Sequence, residues 1–181
     1  GKAFRNEISP RQHIVRMREF TQAEGQLFLF KDQKNDYEPF EKVKDKKLPL
    51  RWYNATTEDF EDLSMTLGEV VKKGVLKNQA SAWTLCLAYD LFSAMGIPKD
   101  RIRLLQHHPH TIAFYADHAW DVEINLTSFG WTEVCGVHDR TDYDLSQHAK
   151  FSKAKLDARN EVTGQKEVPH VLEIAFGTDR P

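Results

Sequence analysis

The chain has 181 residues, 40% of them hydrophobic and 29% charged, with a formal net charge of -2. This balance fits one domain with a real hydrophobic core. It excludes a chain that holds nucleic acid by bulk positive charge, so any RNA contact must come from a local patch or from segments outside this chain.

Two cysteines, Cys86 and Cys135, with neither a CxxC nor paired metal spacing, argue against a disulfide scaffold and fit a reducing compartment. No apolar run approaches about 18 residues and no signal-peptide layout opens the chain, so the cytoplasm is the default location and no membrane is expected. Gly1 and Pro181 each lie beside a dense polar motif, which reads as a piece of a longer protein.

In chain order, residues 3–8 and 13–20 read as two strands of a hairpin that turns around Ser9-Pro10-Arg11. The stretch 31–47 is charge-rich without apolar period and reads as a mobile loop or insertion. A helix is predicted over Glu58–Lys73, ending at Gly74, and a second over Ala80–Met95, ending at Gly96-Ile97-Pro98. Within the second, Trp83, Leu87, Leu91 and Met95 recur at helical spacing and read as a core stripe. Strands are predicted at 101–106, 112–117, 120–126, 131–138, 155–163 and 170–176, with a short helix near 142–150. Hairpin-linked strands with helices grouped apart define an α+β class built on an antiparallel sheet. Neither GxGxxG nor GxxxxGK[ST] occurs, which excludes the Rossmann and P-loop ways of binding nucleotide.

Three stretches carry candidate chemistry. On alternating strand faces Arg5 and Glu7 point one way, and Arg16, Arg18 and Phe20 share a face. A guanidinium for phosphate, a carboxylate for an adenine amino group and a ring to stack on the base together suit ATP. The same pattern also describes a surface hairpin laced with ion pairs worth about 0.2–1 kcal/mol each. In the second stretch Asp121 and Glu123 share a strand face, with Glu133 on a neighbouring strand. Such carboxylates bind Mg²⁺ or pair with arginines. Arg140 follows in a turn between Asp139 and Asp142. In the third, Leu172, Ile174 and Phe176 form one face and Val171, Glu173 and Ala175 the other. Glu173 in so apolar a run needs a cation, either a protein arginine or a substrate ammonium. Gly177 and Arg180 then mark a transition where an arginine reaches phosphate. His107, His108 and His110 are poorly spaced for one face and lack a nearby cysteine, so a solvated loop is preferred over a zinc site.

GKAFRNEISPRQHIVRMREFTQAE, TLGEVVKKGVL, RIRLLQH, YADHAWDVE, FGWTEVCGVHDRTDYDLSQH and VPHVLEIAFGTDR follow one another in this order. Together they resemble the catalytic core of class II aminoacyl-tRNA synthetases, and closely that of glycyl-tRNA synthetases of the archaeal and eukaryotic type, from motif 2 to motif 3. The similarity spans nearly the whole chain and is weakest over 27–64.

The resemblance implies ATP-dependent activation of glycine with Mg²⁺ and transfer to tRNA(Gly) in the complete protein, a homodimer formed through segments outside this chain. Arg5 would hold the ATP α-phosphate, Glu7 the adenine amino group and Phe20 the adenine ring. Arg180 would cover the other face of the base and reach the γ-phosphate, and Glu133 would place Mg²⁺. Arg140 would take the glycine carboxylate and Glu173 its ammonium, with Glu24 also on the substrate. Three departures stand out. The family's Glu-Pro-Ser is here Glu173-Ile174-Ala175, and an acidic residue and an Ala-His-Tyr are replaced by Thr111 and Ala113-Phe114-Tyr115. They motivate an alternative, a synthetase-like binding or regulatory module with impaired catalysis; a sibling synthetase for another small amino acid is the third reading.

Overall fold

A computed structural model describes residues 1–10 and 13–179. The strands are β1 (Lys2–Phe4), β2 (Glu19–Leu29), β3 (Leu50–Asn54), β4 (Asp59–Leu63), β5 (Ile102–Gln106), β6 (His118–Leu126), β7 (Gly130–Asp139), β8 (Ala158–Arg159), β9 (Lys166–Glu167) and β10 (His170–Gly177). The helices are α1 (Leu67–Lys72), α2 (Gln79–Ala94) and α3 (Tyr143–Ser152). Eight strands make one sheet in the order β1-β2-β10-β7-β6-β5-β3-β4, antiparallel throughout except where β3 meets β5; β8 and β9 form a separate small ribbon. This is the expected α+β architecture. No helix among the described residues is long and apolar enough to cross a membrane.

The core lies between the sheet and α2. Asn78 caps α2 by accepting from the Ser81 amide at 2.8 Å, and the chain leaves through Gly96 at φ +92. The buried side of α2 is Ala80, Leu85, Ala88 and Phe92. The predicted stripe is therefore displaced: Leu87 is 44% exposed, Leu91 37% and Met95 44%. On the buried side the alanines let the helix backbone approach the sheet closely while Leu85 and Phe92 fill the core, which leaves Leu87, Leu91 and Met95 outside. Trp83 is half-buried against Tyr37, with ring centroids 5.5 Å apart.

Other boundaries also move. The first hairpin pairs 2–4 with 19–21, so the described residues between 5 and 18 connect those strands and form none of their own. Arg5, Glu7, Arg16 and Arg18 thus lie outside the strands, and the tight-turn expectation at Arg11 falls outside the described residues. Only 67–72 of the predicted 58–73 helix is helical, because 59–63 pairs with β3 and Thr66 starts the helix with a capping box to Glu69. Residues 112–117 carry no strand, and only 158–159 of the 155–163 stretch does.

Residues 31–47 are anchored rather than mobile. Phe40 joins the core, and Lys34, only 6% exposed, places its Nζ 2.7 Å from the Asp139 carboxylate. Asn78 also donates to Asp139, at 3.1 Å, and the Thr141 amide binds its other oxygen at 3.1 Å. Burial alone would raise the Asp139 pKa, but Lys34 holds it below the ordinary value. One carboxylate thus ties a charged segment, the start of α2 and the end of β7 together.

Removing one member of a buried pair strands the other charge. Lys34→Met is therefore expected to cost about 3–5 kcal/mol in urea unfolding; a change below about 1 kcal/mol would show that the pair does not anchor the segment. His118 gives a second expectation. Burial pushes its pKa from 6.5 down to about 4, and neither ring nitrogen has a hydrogen-bond partner among the described residues. The unfolded imidazole takes its proton at higher pH than the folded one. Stability should thus fall as pH drops from about 6.5 to about 4, by an amount on the order of 3 kcal/mol. His118→Leu should flatten that part of the pH profile relative to the parent, as read by thermal melts.

Candidate active site

The face of the sheet opposite α2 is polar. Strand alternation puts Phe20, Gln22, Glu24 and Gln26 of β2 on it, and Glu173 and Ala175 of β10, while Leu172, Ile174 and Phe176 point into the core as the sequence suggests. On β7 a bulge intervenes: Val122 pairs with Cys135 but Glu123 with Glu133, so Val134 is the extra residue. Strict alternation would set Glu133 opposite to Gly136 and His138. The bulge brings all three to the same face, where they line a cleft of about 640 Å³. Tyr115 and three residues of α3 (Asp144, Leu145 and His148) close its side.

At one end Arg140 Nη1 lies 3.2 Å from Glu173 Oε1, and its Nε donates to Asp144 at 2.6 Å. The guanidinium sits over the Tyr115 ring, 4.3 Å from its centroid. Asp144 first, then Glu173, raises the Arg140 pKa. Glu173 is 7% exposed, with His138 Nδ1 at 3.8 Å and Gln26 donating to Oε2 at 3.4 Å. His138 and Arg140 hold its carboxyl below the ordinary value against the effect of burial. The cation that Glu173 requires is therefore a protein arginine in the free chain.

At the other end the Arg5 guanidinium lies over the Phe20 ring, 5.8 Å from the centroid. Glu133 faces the same space, with Arg16 at 3.9 Å. Glu7 stays in the neighbouring connection and does not line the cleft. Arg180 lies outside the described residues. The strand ahead of it remains fastened to β2, since Thr178 donates to the Thr21 carbonyl at 2.9 Å and Asp179 accepts from the Thr21 amide at 3.1 Å. Of the residues singled out in the sequence, Arg5, Phe20, Glu24, Glu133, Arg140 and Glu173 thus share one cavity.

The three carboxylates of the second stretch each meet a nitrogen base: Glu123 takes Arg103 at 2.5 Å, Asp121 takes His107 at 2.8 Å, and Glu133 takes Arg16. The histidines split. His107 turns inward to Asp121, which raises its pKa, whereas His108 stays on the loop against Tyr53, 4.3 Å between ring centroids. Both cysteines are free and buried, and burial pushes their thiols up to about 11 (Cys86) and about 12 (Cys135), which removes thiolate chemistry.

Sequence reasoning missed Tyr115, Asp144 and His138. The last two carry a readable signal, since Asp144 stands four residues after Arg140 and His138 two before it. Tyr115 falls in the Ala113-Phe114-Tyr115 block, but nothing local ties it to Arg140, because only the fold brings 115 to 140.

This arrangement, a mostly antiparallel sheet with a polar cleft on one face and a long helix on the other, is the fold of class II aminoacyl-tRNA synthetases. It matches the prolyl-tRNA synthetase of Cryptosporidium parvum complexed with L-proline and AMP, with TM-score 0.53 and 12% identity over 97% of this chain and 27% of that one. It also matches the Giardia lamblia prolyl-tRNA synthetase in complex with prolyl-adenylate, with TM-score 0.50 and 11% identity over 98% of this chain and 25% of that one. Sequence narrows the class. The chain is homologous to archaeal glycine–tRNA ligases: 40% identical over 173 residues to that of Methanocaldococcus jannaschii, covering 93% of this chain and 30% of the relative. It is 41% identical over 181 residues to that of Methanococcus maripaludis (96% and 31%), and 43% over 156 residues to that of Methanothermobacter thermautotrophicus (86% and 27%). The chain thus spans about three tenths of the length of these curated relatives. No protein-family model matches it.

The Arg140–Glu173 contact gives a direct test. Arg140→Gln should raise the Glu173 pKa from its lowered position, as followed by carboxyl-carbon NMR titration. An unmoved titration would mean that Arg140 does not supply the compensating charge.

Proposed function

We propose that this chain forms the ATP- and amino-acid-binding cleft of a glycine–tRNA ligase acting in the cytoplasm. It would join glycine to ATP as glycyl-adenylate and, in the complete protein, pass the glycyl group to tRNA(Gly). The observation that carries this reading is a single cavity with an arginine–aromatic pair at one end and an arginine–glutamate pair at the other. Homology to glycine–tRNA ligases over nearly the whole chain supports it.

Glycine is a zwitterion, and the second end already presents its complement. An entering amino acid exchanges one protein ion pair for two: its ammonium on Glu173, with Glu24 close by on β2, and its carboxylate on Arg140. Asp144 and Tyr115 keep that guanidinium in place meanwhile. A carboxylate oxygen then attacks the α-phosphorus, the bond to the bridging oxygen breaks, and pyrophosphate leaves with the electron pair. No protein nucleophile is needed; the residues orient and neutralise. Arg5 would take the α-phosphate, Phe20 the adenine ring, Glu7 its amino group, and Arg180 the γ-phosphate. Glu133, a half-exposed hard oxygen donor facing the cleft, fits Mg²⁺, which asks for one or two carboxylates beside the phosphates. When bound, the ion would neutralise charge on the leaving pyrophosphate. Transfer follows when a terminal tRNA hydroxyl attacks the carbonyl carbon and AMP departs.

Glycine-dependent ATP–pyrophosphate exchange by the full-length protein is the test. Arg5→Ala and Glu173→Ala are each expected to lower kcat by about 100-fold or more. Exchange with another amino acid but not glycine would overturn the substrate and keep the class. A second reading, a binding module without ligase activity, is favoured by Ala175, which offers no hydroxyl where the resembling family carries serine. Calorimetry separates the two, since a folded full-length protein that binds no ATP fits only the module.

A further inference from the structure

The geometry points to a transition-metal site made by His107, Asp121 and His138, separate from any magnesium at Glu133. One ligand atom from each of the three lies within 4.8 Å of the others. The sheet itself creates the space. The His107 amide bonds the Ala119 carbonyl at 3.0 Å, and Ala119 pairs with His138, so the two histidines flank an alanine across three strands. In the next row Asp121 pairs with Gly136. The two positions between the donors therefore carry a methyl group and a hydrogen.

The His138 ring leans over Gly136: a Cβ placed there would come within 2.7 Å of His138 Cε1. The lean brings the imidazole beside that of His107, with ring centroids 5.7 Å apart. All three side chains are largely buried, at 26%, 14% and 19% exposure. His138 Nδ1 is buried with no hydrogen-bond partner among the described residues, and its nearest carboxylate is Glu173 at 3.8 Å.

Two imidazoles and one carboxylate suit Zn²⁺, Co²⁺ or Fe²⁺, not the all-oxygen preference of Mg²⁺ or Ca²⁺. A metal on Nε2 of His138 leaves its Nδ1–H facing Glu173, the carboxylate–histidine–metal relay that orients such ligands. Three protein ligands leave a further coordination position for water or a substrate atom, and through His138 the site adjoins the cleft. This inference does not rest on the proposed ligase activity; the residues make the site whatever the cleft binds.

The test uses the full-length protein stripped with chelator and titrated with Co²⁺, followed by visible absorption and by metal analysis after dialysis. The expected result is one Co²⁺ per chain with ligand-field bands, displaced by Zn²⁺ but not by excess Mg²⁺. The double variant His108→Asn/His110→Asn should keep the bands, whereas His138→Ala and Asp121→Asn should lose them. Glu173→Gln should weaken binding by about 10–100-fold. Gly136→Ala, which displaces the His138 ring without deleting a ligand, should weaken it too and carries the test if the ligand variants fail to fold. No uptake by the parent protein, or undiminished bands in His138→Ala, would overturn the site.

Discussion

Asp139 bonds two side chains from distant parts of the chain and the backbone of its own turn, and the cleft depends on it. Its carboxylate takes the buried ammonium of Lys34, the side-chain amide of Asn78 and the backbone amide of Thr141. Arg140 is the next residue, so the last rigid point of β7 is fixed one peptide before the guanidinium that meets Glu173. Burying this pair is costly in itself, and replacement by apolar residues would pack as well. What the charges add is direction: a carboxylate satisfied from three sides leaves the turn after β7 few other orientations. The charged segment 31–47 is therefore part of the cleft's support although it never touches it.

The cleft has two ends with different electrostatics. Near Glu173 the charges are buried and already matched by Arg140 and Asp144, so a ligand must compete with protein contacts to enter. Near Phe20 the surroundings are more open, and Arg5 is held over an aromatic ring. A zwitterion suits the first end because it brings both signs at once. Arg140 itself cannot lose its proton, so the first end keeps its polarity across the working pH range.

Much of this was legible in the sequence. Alternation along β10 separated Glu173 from Leu172 and Ile174, and its apolar setting demanded a cation. The Gly96-Ile97-Pro98 stop and the helical spacing bound α2 to within a residue or two, while the Asn78 cap is visible only in the fold. Other features depend on long-range packing and leave no local trace. Helical spacing alone points to the outer side of α2 because Leu87 and Leu91 are more apolar than Ala80 and Ala88, while close approach to a sheet favours alanines beside Leu85 and Phe92. Alternation puts the early arginines on strands because it cannot see that β1 pairs with 19–21. Residues 31–47 read as a mobile loop because nothing local marks Lys34 for burial; its partner lies 105 residues away.

The extra residue in β7 has a consequence for comparing this chain with its relatives. Either side of Val134 the strand runs in opposite phase: Glu133 reaches the cleft on an odd count, Gly136 and His138 on an even one. A homologue lacking that single residue would pair without a bulge and still present Glu133 above the sheet, whereas a regular strand that kept it would turn Glu133 to the core and present Thr132. Alignments through this strand thus carry chemical meaning at a gap of one.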